Sequence, residues 1–351
     1  MLSAGAAALG IFVFIGLFPQ SSSVKTLKSI GGLPAHIAGR FEEIGGCERA
    51  ESGDYFVFDR RSHMVFLVPG AMNGPPRELV GVGVEPGRVL NPSAFDLAPD
   101  KTFVVADAPF GQPRVQFFFE TGARLGGFAL PQHTAPSAKT STVFFNLIAS
   151  VKYSGKSLFV SQPESGTLIA EYAVDGQLIR SFGQLRPTGY ESDLELHKAL
   201  NAGRIVINPR GGFYFVFSGG TPLFRKYDAT GKLLFERYIQ GAELDDYARN
   251  RPTTWPKRAG PGETPFVAPV VRAAAADAAG NLWISLAVPI TYVYDAAGDK
   301  TRTVQFTAAG VVSPTNLSFG ADGRLLITPG CYAFEPEPGQ RLRPERPSGA
   351  R

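Results

Sequence analysis

Between Asn201 and Ile239 four short apolar runs follow one another: Arg204-Ile-Val-Ile-Asn208, Phe213-Tyr-Phe-Val-Phe217, Leu223-Phe-Arg-Lys-Tyr227 and Leu233-Leu-Phe-Glu-Arg-Tyr238. Pro209-Arg-Gly-Gly212, Ser218-Gly-Gly-Thr-Pro222 and Asp228-Ala-Thr-Gly-Lys232 separate them, residues that turns select for a positive or preset φ. The stretch reads as a four-stranded antiparallel meander. Its second run is apolar throughout, as a strand covered on both faces must be, while the third and fourth mix in charges as strands nearer a rim do. One such sheet cannot bury both faces alone, so it needs copies of itself alongside.

The copies are present. With Gly211 as the mark of the turn between first and second strands, equivalents fall at Gly53, Lys101, Gly155, Gly280 and Gly323. The spacing, about 40 to 70 residues, is that of four-stranded propeller blades. An apolar second strand follows every mark: Tyr55-Phe-Val-Phe58, Phe103-Val-Val-Ala106, Leu158-Phe-Val-Ser161, Phe213-Tyr-Phe-Val216, Leu282-Trp-Ile-Ser285 and Leu325-Leu-Ile-Thr328. The turn between third and fourth strands recurs at Gly122, Gly176, Gly231 and Gly298. The expectation is an all-β, six-bladed β-propeller of four-stranded antiparallel blades over residues 24–334. The pattern resembles the NHL-repeat and TolB-like group of six-bladed propellers, best at Phe103-Val-Val-Ala-Asp107 with Val115-Gln-Phe-Phe-Phe119, and at Phe224-Arg-Lys-Tyr-Asp228 with Thr230-Gly-Lys232. Members of such folds bind partners or catalyse reactions, so the resemblance implies architecture and no reaction.

The last blade is one strand short in sequence, and an N-terminal strand is expected to close it, removing an open edge. Leu33 to Phe41 is the candidate. The Pro/Arg-rich tail, residues 335–351, reads as disordered. Two segments exceed what blade turns need. Gln184 to Gly203 has the pattern of a short helix capped by Ser192 or Asp193, and Gln240 to Pro269 is the longer insertion. Insertions on one propeller face commonly form a ligand or partner surface, with Tyr247, Arg251 and Trp255 as the recognition candidates here.

Leu2 to Phe18 is almost wholly apolar and Lys25 is the first charge. Residues 1–23 therefore read as a signal peptide or an N-terminal membrane anchor, and either places the remainder in the periplasm or outside the cell. Cys47 and Cys331 stand at opposite ends of the repeats. In an oxidising compartment a disulfide between them would staple the first repeat to the last, but sequence separation does not reveal whether they meet, and two unpaired buried thiols are the favoured reading.

No catalytic or metal-binding signature stands out, and no cofactor is implied. His36, His63, His133 and His197 lie in separate regions, and neither a nucleophile elbow nor a phosphate loop nor an acidic calcium loop is present. The net charge of +4 is dispersed, which argues against a nucleic-acid footprint. A propeller builds its axial site from one residue per blade, so the starts of the first strands are the place to look. There the sequence offers Arg204, Arg272 and Asn316 among small residues, and two guanidinium forks suit a carboxylate or phosphate. The expectation is an exported, non-enzymatic platform for a protein, peptide or small anionic ligand. A hydrolase or lactonase-like propeller enzyme is the alternative; it needs acidic residues converging on the channel, and the strand starts offer none.

Overall fold

A computed structural model describes residues 23–131, 138–140, 143–145, 150–249 and 267–336. Six sheets carry the blades, each running outward through four antiparallel strands. Blade one is Ile44–Arg49, Tyr55–Asp59, Met64–Val68 and Arg77–Val80; blade two is Ala94–Leu97, Phe103–Asp107, Arg114–Phe118 and Arg124–Ala129. Blade three is Val151–Tyr153, Ser157–Ser161, Thr167–Ala173 and Leu178–Gln184; blade four is Gly203–Ile207, Phe213–Phe217, Leu223–Tyr227 and Leu233–Tyr238. Blade five is Val271–Ala276, Leu282–Leu286, Thr291–Tyr294 and Lys300–Thr307, and blade six contributes Asn316–Phe319, Leu325–Thr328 and Tyr332–Phe334. The six first strands touch one another in a closed cycle, blade six returning to blade one, so they line the axis. A small hairpin, Ala138–Thr140 with Val143–Phe145, lies between blades two and three in the chain.

The apolar second strands do what their composition requires. Tyr55–Asp59, Phe103–Asp107, Phe213–Phe217 and Leu282–Leu286 are buried at every position. Their side chains alternate between the two neighbouring blades, so the core is divided into seams. Tyr214 and Leu282 share one cluster between blades four and five, and Phe215 packs with Phe159 in the seam to blade three. Equivalent clusters fill the other four seams, and a small further cluster lies under the helix Leu194–Leu200. No blade could keep its faces dry without its neighbours, which is why the repeat must close.

All six turn marks adopt the left-handed backbone, at φ 92° for Gly53, 67° for Lys101, 83° for Gly155, 105° for Gly211, 84° for Gly280 and 75° for Gly323. Five are glycine because a Cβ is disfavoured there. Lys101 carries that cost, and its ion pair to Glu120 is exposed and weak. Lys101→Gly is expected to raise stability by about 0.5–1 kcal/mol in urea unfolding; a lower midpoint would show that the side chain matters more than the backbone.

The closing strand lies upstream of Leu33 to Phe41. Gly31–Gly32 pairs with Tyr332–Phe334, flanked by the Ile30 amide on Ala333 O and the Leu33 amide on Cys331 O. A Cβ on Gly32 would stand 2.2 Å from Cys331 O, so only glycine lets the two backbones approach this closely. Leu33, just before the short helix Ala35–Ala38, and Ile37 within that helix instead pack into the seam between blades six and one. Just before the closing strand, Lys25–Lys28 adds a parallel fifth strand to blade five, and Val304 and Phe306 on the strand it covers are buried.

Cys47, on the first strand of blade one, and Cys331, in blade six, have Cα atoms 5.8 Å apart and are joined as a disulfide. This corrects the reading of two unpaired thiols: the ring brings residues 284 apart in sequence into one seam. Residues 1–22 and 337–351 lie outside the described residues, and so the N-terminal apolar run and most of the Pro/Arg-rich tail do as well. No helix among the described residues is long and apolar enough to cross a membrane.

Candidate functional site in the axial channel

The first strands present two successive side-chain levels to the axis, and their cross-strand register shows which residues are equivalent. Arg204 pairs with Val216, Ala94 with Ala106, Gly46 with Phe58, Ala273 with Ser285 and Asn316 with Thr328. These pairs define an upper level of small residues around Arg204 and Asn316. One step deeper, Glu48 pairs with Phe56, Asp96 with Val104 and Lys152 with Phe159, and Ser318 stands opposite Leu326 in blade six. Three consecutive blades thus supply a carboxyl, a carboxylate and an ammonium at one level.

The lower level is tightly linked. Lys152 Nζ donates to Asp96 Oδ1, and Asp96 Oδ2 accepts the Tyr153 amide at 2.7 Å, so the carboxylate bridges blades two and three. Burial pushes the Asp96 pKa up against the pull of that lysine. Burial alone would lower the Lys152 pKa, but the carboxyls of Asp96 and Glu48 beside it hold it above the usual lysine value. Among the described residues no lysine or arginine is ion-paired with Glu48. Burial, with Asp96 adding like charge, raises its pKa to about 8, only partly offset by Lys152 and the Leu97 amide. Near neutral pH it is mostly a neutral acid and a hydrogen-bond donor.

Arg204 stands in blade four, opposite blade one. Its Nε is buried without a hydrogen-bond partner among the described residues, and so is Ser161 Oγ. The strands carrying the two touch across the seam between blades three and four. Burial, with the like charge of Arg60, lowers the guanidinium pKa to about 10, which leaves it charged at neutral pH. Asn316 holds the Leu317 amide through Oδ1, and its Nδ2 lies 3.7 Å from where a Cβ would stand on Gly46. A Cβ on Gly46 would also stand 3.3 Å from the Phe95 ring, so the glycine lets Phe95 and Asn316 pack closely against this strand.

The other sequence candidates fall elsewhere. Arg272 is the extra residue of a β-bulge between Val271 and Ala273, so Ala273 and not Arg272 is the equivalent of Arg204. The paired-arginine reading is corrected to one arginine on this level. Tyr247, on the helix Ala242–Arg249, donates to Pro269 O at 3.1 Å and packs on the core beside Leu244. It fastens the insertion to blades four and five. Arg251 and Trp255 lie outside the described residues. The expected short helix is present as Leu194–Leu200, with Asp193 Oδ1 accepting the Leu196 amide. Asp59 and Asp107 serve loop backbone: Asp59 accepts the Glu42 and Glu43 amides, and Asp107 accepts the Leu90 amide while paired with Arg114.

The absence of acidic residues from the channel is likewise corrected, since Glu48 and Asp96 sit one level below the strand starts. The sequence held a signal for them: each lies five positions before its turn mark, Gly53 and Lys101. Lys152 was hidden by the tighter hairpin of blade three. Among the described residues no group of three or more His, Cys, Asp or Glu is gathered in a way that could hold a metal ion.

No protein-family model matches the chain, and no curated protein does. Two solved structures of virginiamycin B lyase from Staphylococcus aureus share its fold at a TM-score of 0.50. The selenomethionine-substituted enzyme is 12% identical over 86% of this chain and 81% of its own. A catalytically inactive variant with quinupristin is 11% identical over 85% and 80%. At this identity the likeness carries the propeller architecture alone.

Proposed function

We propose that this protein is a propeller-shaped binding protein whose axial channel takes a small anionic ligand at Arg204. The buried guanidinium nitrogen without an acceptor carries the reading, because a buried donor left unpaired is costly and an arriving oxyanion would supply what it lacks. Ser161 Oγ is a second polar atom in the same condition. Charge agrees: with Glu48 mostly neutral and Asp96 balanced by Lys152, Arg204 leaves the channel net positive. Isothermal titration of acetate and inorganic phosphate is expected to show binding that weakens at least tenfold in Arg204→Ala, with wild-type melting raised by either anion. Equal binding by Arg204→Ala would overturn the reading.

A second reading, an acid–base enzyme on this fold, is favoured by one observation: Glu48, mostly neutral near pH 7, stands beside an Asp96 held by Lys152, and neighbouring carboxyls in unlike surroundings serve general acid chemistry. Turnover that disappears in Glu48→Gln would establish it. We further read the chain as an NHL-repeat or TolB-like propeller, on the recurring Asp-led turns in which Asp228, Asp277 and Asp295 each accept two backbone amides. Export to the periplasm or cell exterior, with or without retention of residues 2–18 as an anchor, is supported by the Cys47–Cys331 bridge, since such bonds persist in oxidising compartments.

A further inference from the structure

The anion site does not account for Glu48. In a ring of six, blade four stands opposite blade one, so Arg204 and Glu48 lie on opposite first strands at adjacent levels. They are not paired: no ion pair joins them, and the charges that act between Arg204 and its surroundings are those of two cations, Arg60 and Lys152. Lys152, the cation nearest Glu48, is already bound to Asp96. The channel therefore presents an unsatisfied cation on one wall and, on the other, two carboxyl groups sharing one lysine. The upper-level residues Gly46, Ala94 and Ala273 are small, which favours a compact ligand over a bulky one. A plain anion would satisfy only the first wall and leave Glu48 on the other without a charged partner of its own.

We propose that the axial site takes a small zwitterion, a carboxylate and an ammonium a few bonds apart as in a free amino acid, with the carboxylate on Arg204 and the ammonium on Glu48 and Asp96. This rests on the anion reading of Arg204 and extends it to a ligand class. Its chemistry has a distinct consequence. An ammonium held against Glu48 favours the carboxylate form of that residue, so Glu48 must surrender its proton as the ligand binds. Below pH 8 the complex releases protons to solvent, and an amine-free anion has no reason to cause this.

The test is isothermal titration of the full chain at pH 7 in two buffers of different ionisation enthalpy, with glycine, 4-aminobutanoate, acetate and methylammonium as probes. The expected result is that one of the two amino acids binds at least tenfold tighter than acetate and releases close to one proton per ligand, while methylammonium alone binds far more weakly. In Glu48→Gln the same amino acid is expected to bind no tighter than acetate and to release no proton. Acetate binding as tightly as both amino acids, without proton release, would overturn the zwitterion and leave the anion site standing. Binding of none of the four probes would overturn both. Methylammonium binding as tightly as the amino acids would make this a cation site and remove Arg204 from it.

Discussion

Reducing the Cys47–Cys331 bridge is expected to cost on the order of 5 kcal/mol of stability, the largest single effect foreseen for this chain. The bond ties residues 284 apart, so in the unfolded state it forbids most of the conformations an open chain would sample. The native ring already holds the two residues in one packed seam, with Cys47 and Cys331 buried among Leu33, Val57 and Leu326. Reduction therefore frees the unfolded chain far more than the folded one. The measurement is guanidinium unfolding of the wild type with and without reductant, beside a Cys47→Ala/Cys331→Ala variant. Midpoints of the reduced protein and the variant should fall together, well below the oxidised one. An unchanged midpoint under reductant would mean that Gly31–Gly32 and the seam packing alone hold the ring closed.

The second large effect concerns pH. The native state holds the Glu48 proton up to about pH 8, whereas the unfolded chain gives it up near 4.5. Between those values the folded state binds more protons than the unfolded one, so Glu48 makes stability decline as pH rises across that window and adds nothing further above it. Glu48→Gln removes the titration while keeping the shape. The variant is expected to gain on the order of 3 kcal/mol over the wild type at pH 8.5, and little at pH 4.5, with a flatter profile between. Stability curves at a series of pH values, fitted from urea unfolding, test this. A wild-type profile without that decline would place Glu48 in contact with bulk water and weaken its role in the channel.

Both effects depend on residues whose partners are remote in the chain, and this marks what could be read beforehand. The turn marks were legible because a left-handed backbone selects glycine locally, and Gly53, Gly155, Gly211, Gly280 and Gly323 all stand where that selection operates. The Gly122, Gly176, Gly231 and Gly298 turns were legible for the same reason. Arg204 was singled out in the sequence because it stands at a strand start. Glu48, Asp96 and Lys152 were missed because a charged residue inside a short strand looks like a solvent-facing one until the register with strand two places it on the axis. Arg272 was misplaced by a bulge, which shifts register by one residue and leaves little trace in the pattern.

What the sequence determined by itself is the unit: short apolar strands at period two, turn residues at fixed offsets, and six copies, which together compel a closed ring because no copy can bury its own faces. These are consequences of local sterics and of burial, and both are written along the chain. The tertiary structure alone decided how the ring is locked and what its axis holds. It set Gly31–Gly32 as the closing strand where Leu33 to Phe41 was expected, laid Lys25–Lys28 along blade five, and joined Cys47 to Cys331. It also set Arg204 across from Glu48. Such pairings depend on distances between strands that are far apart in sequence, and on the dielectric of the channel they enclose, neither of which exists before the last blade meets the first.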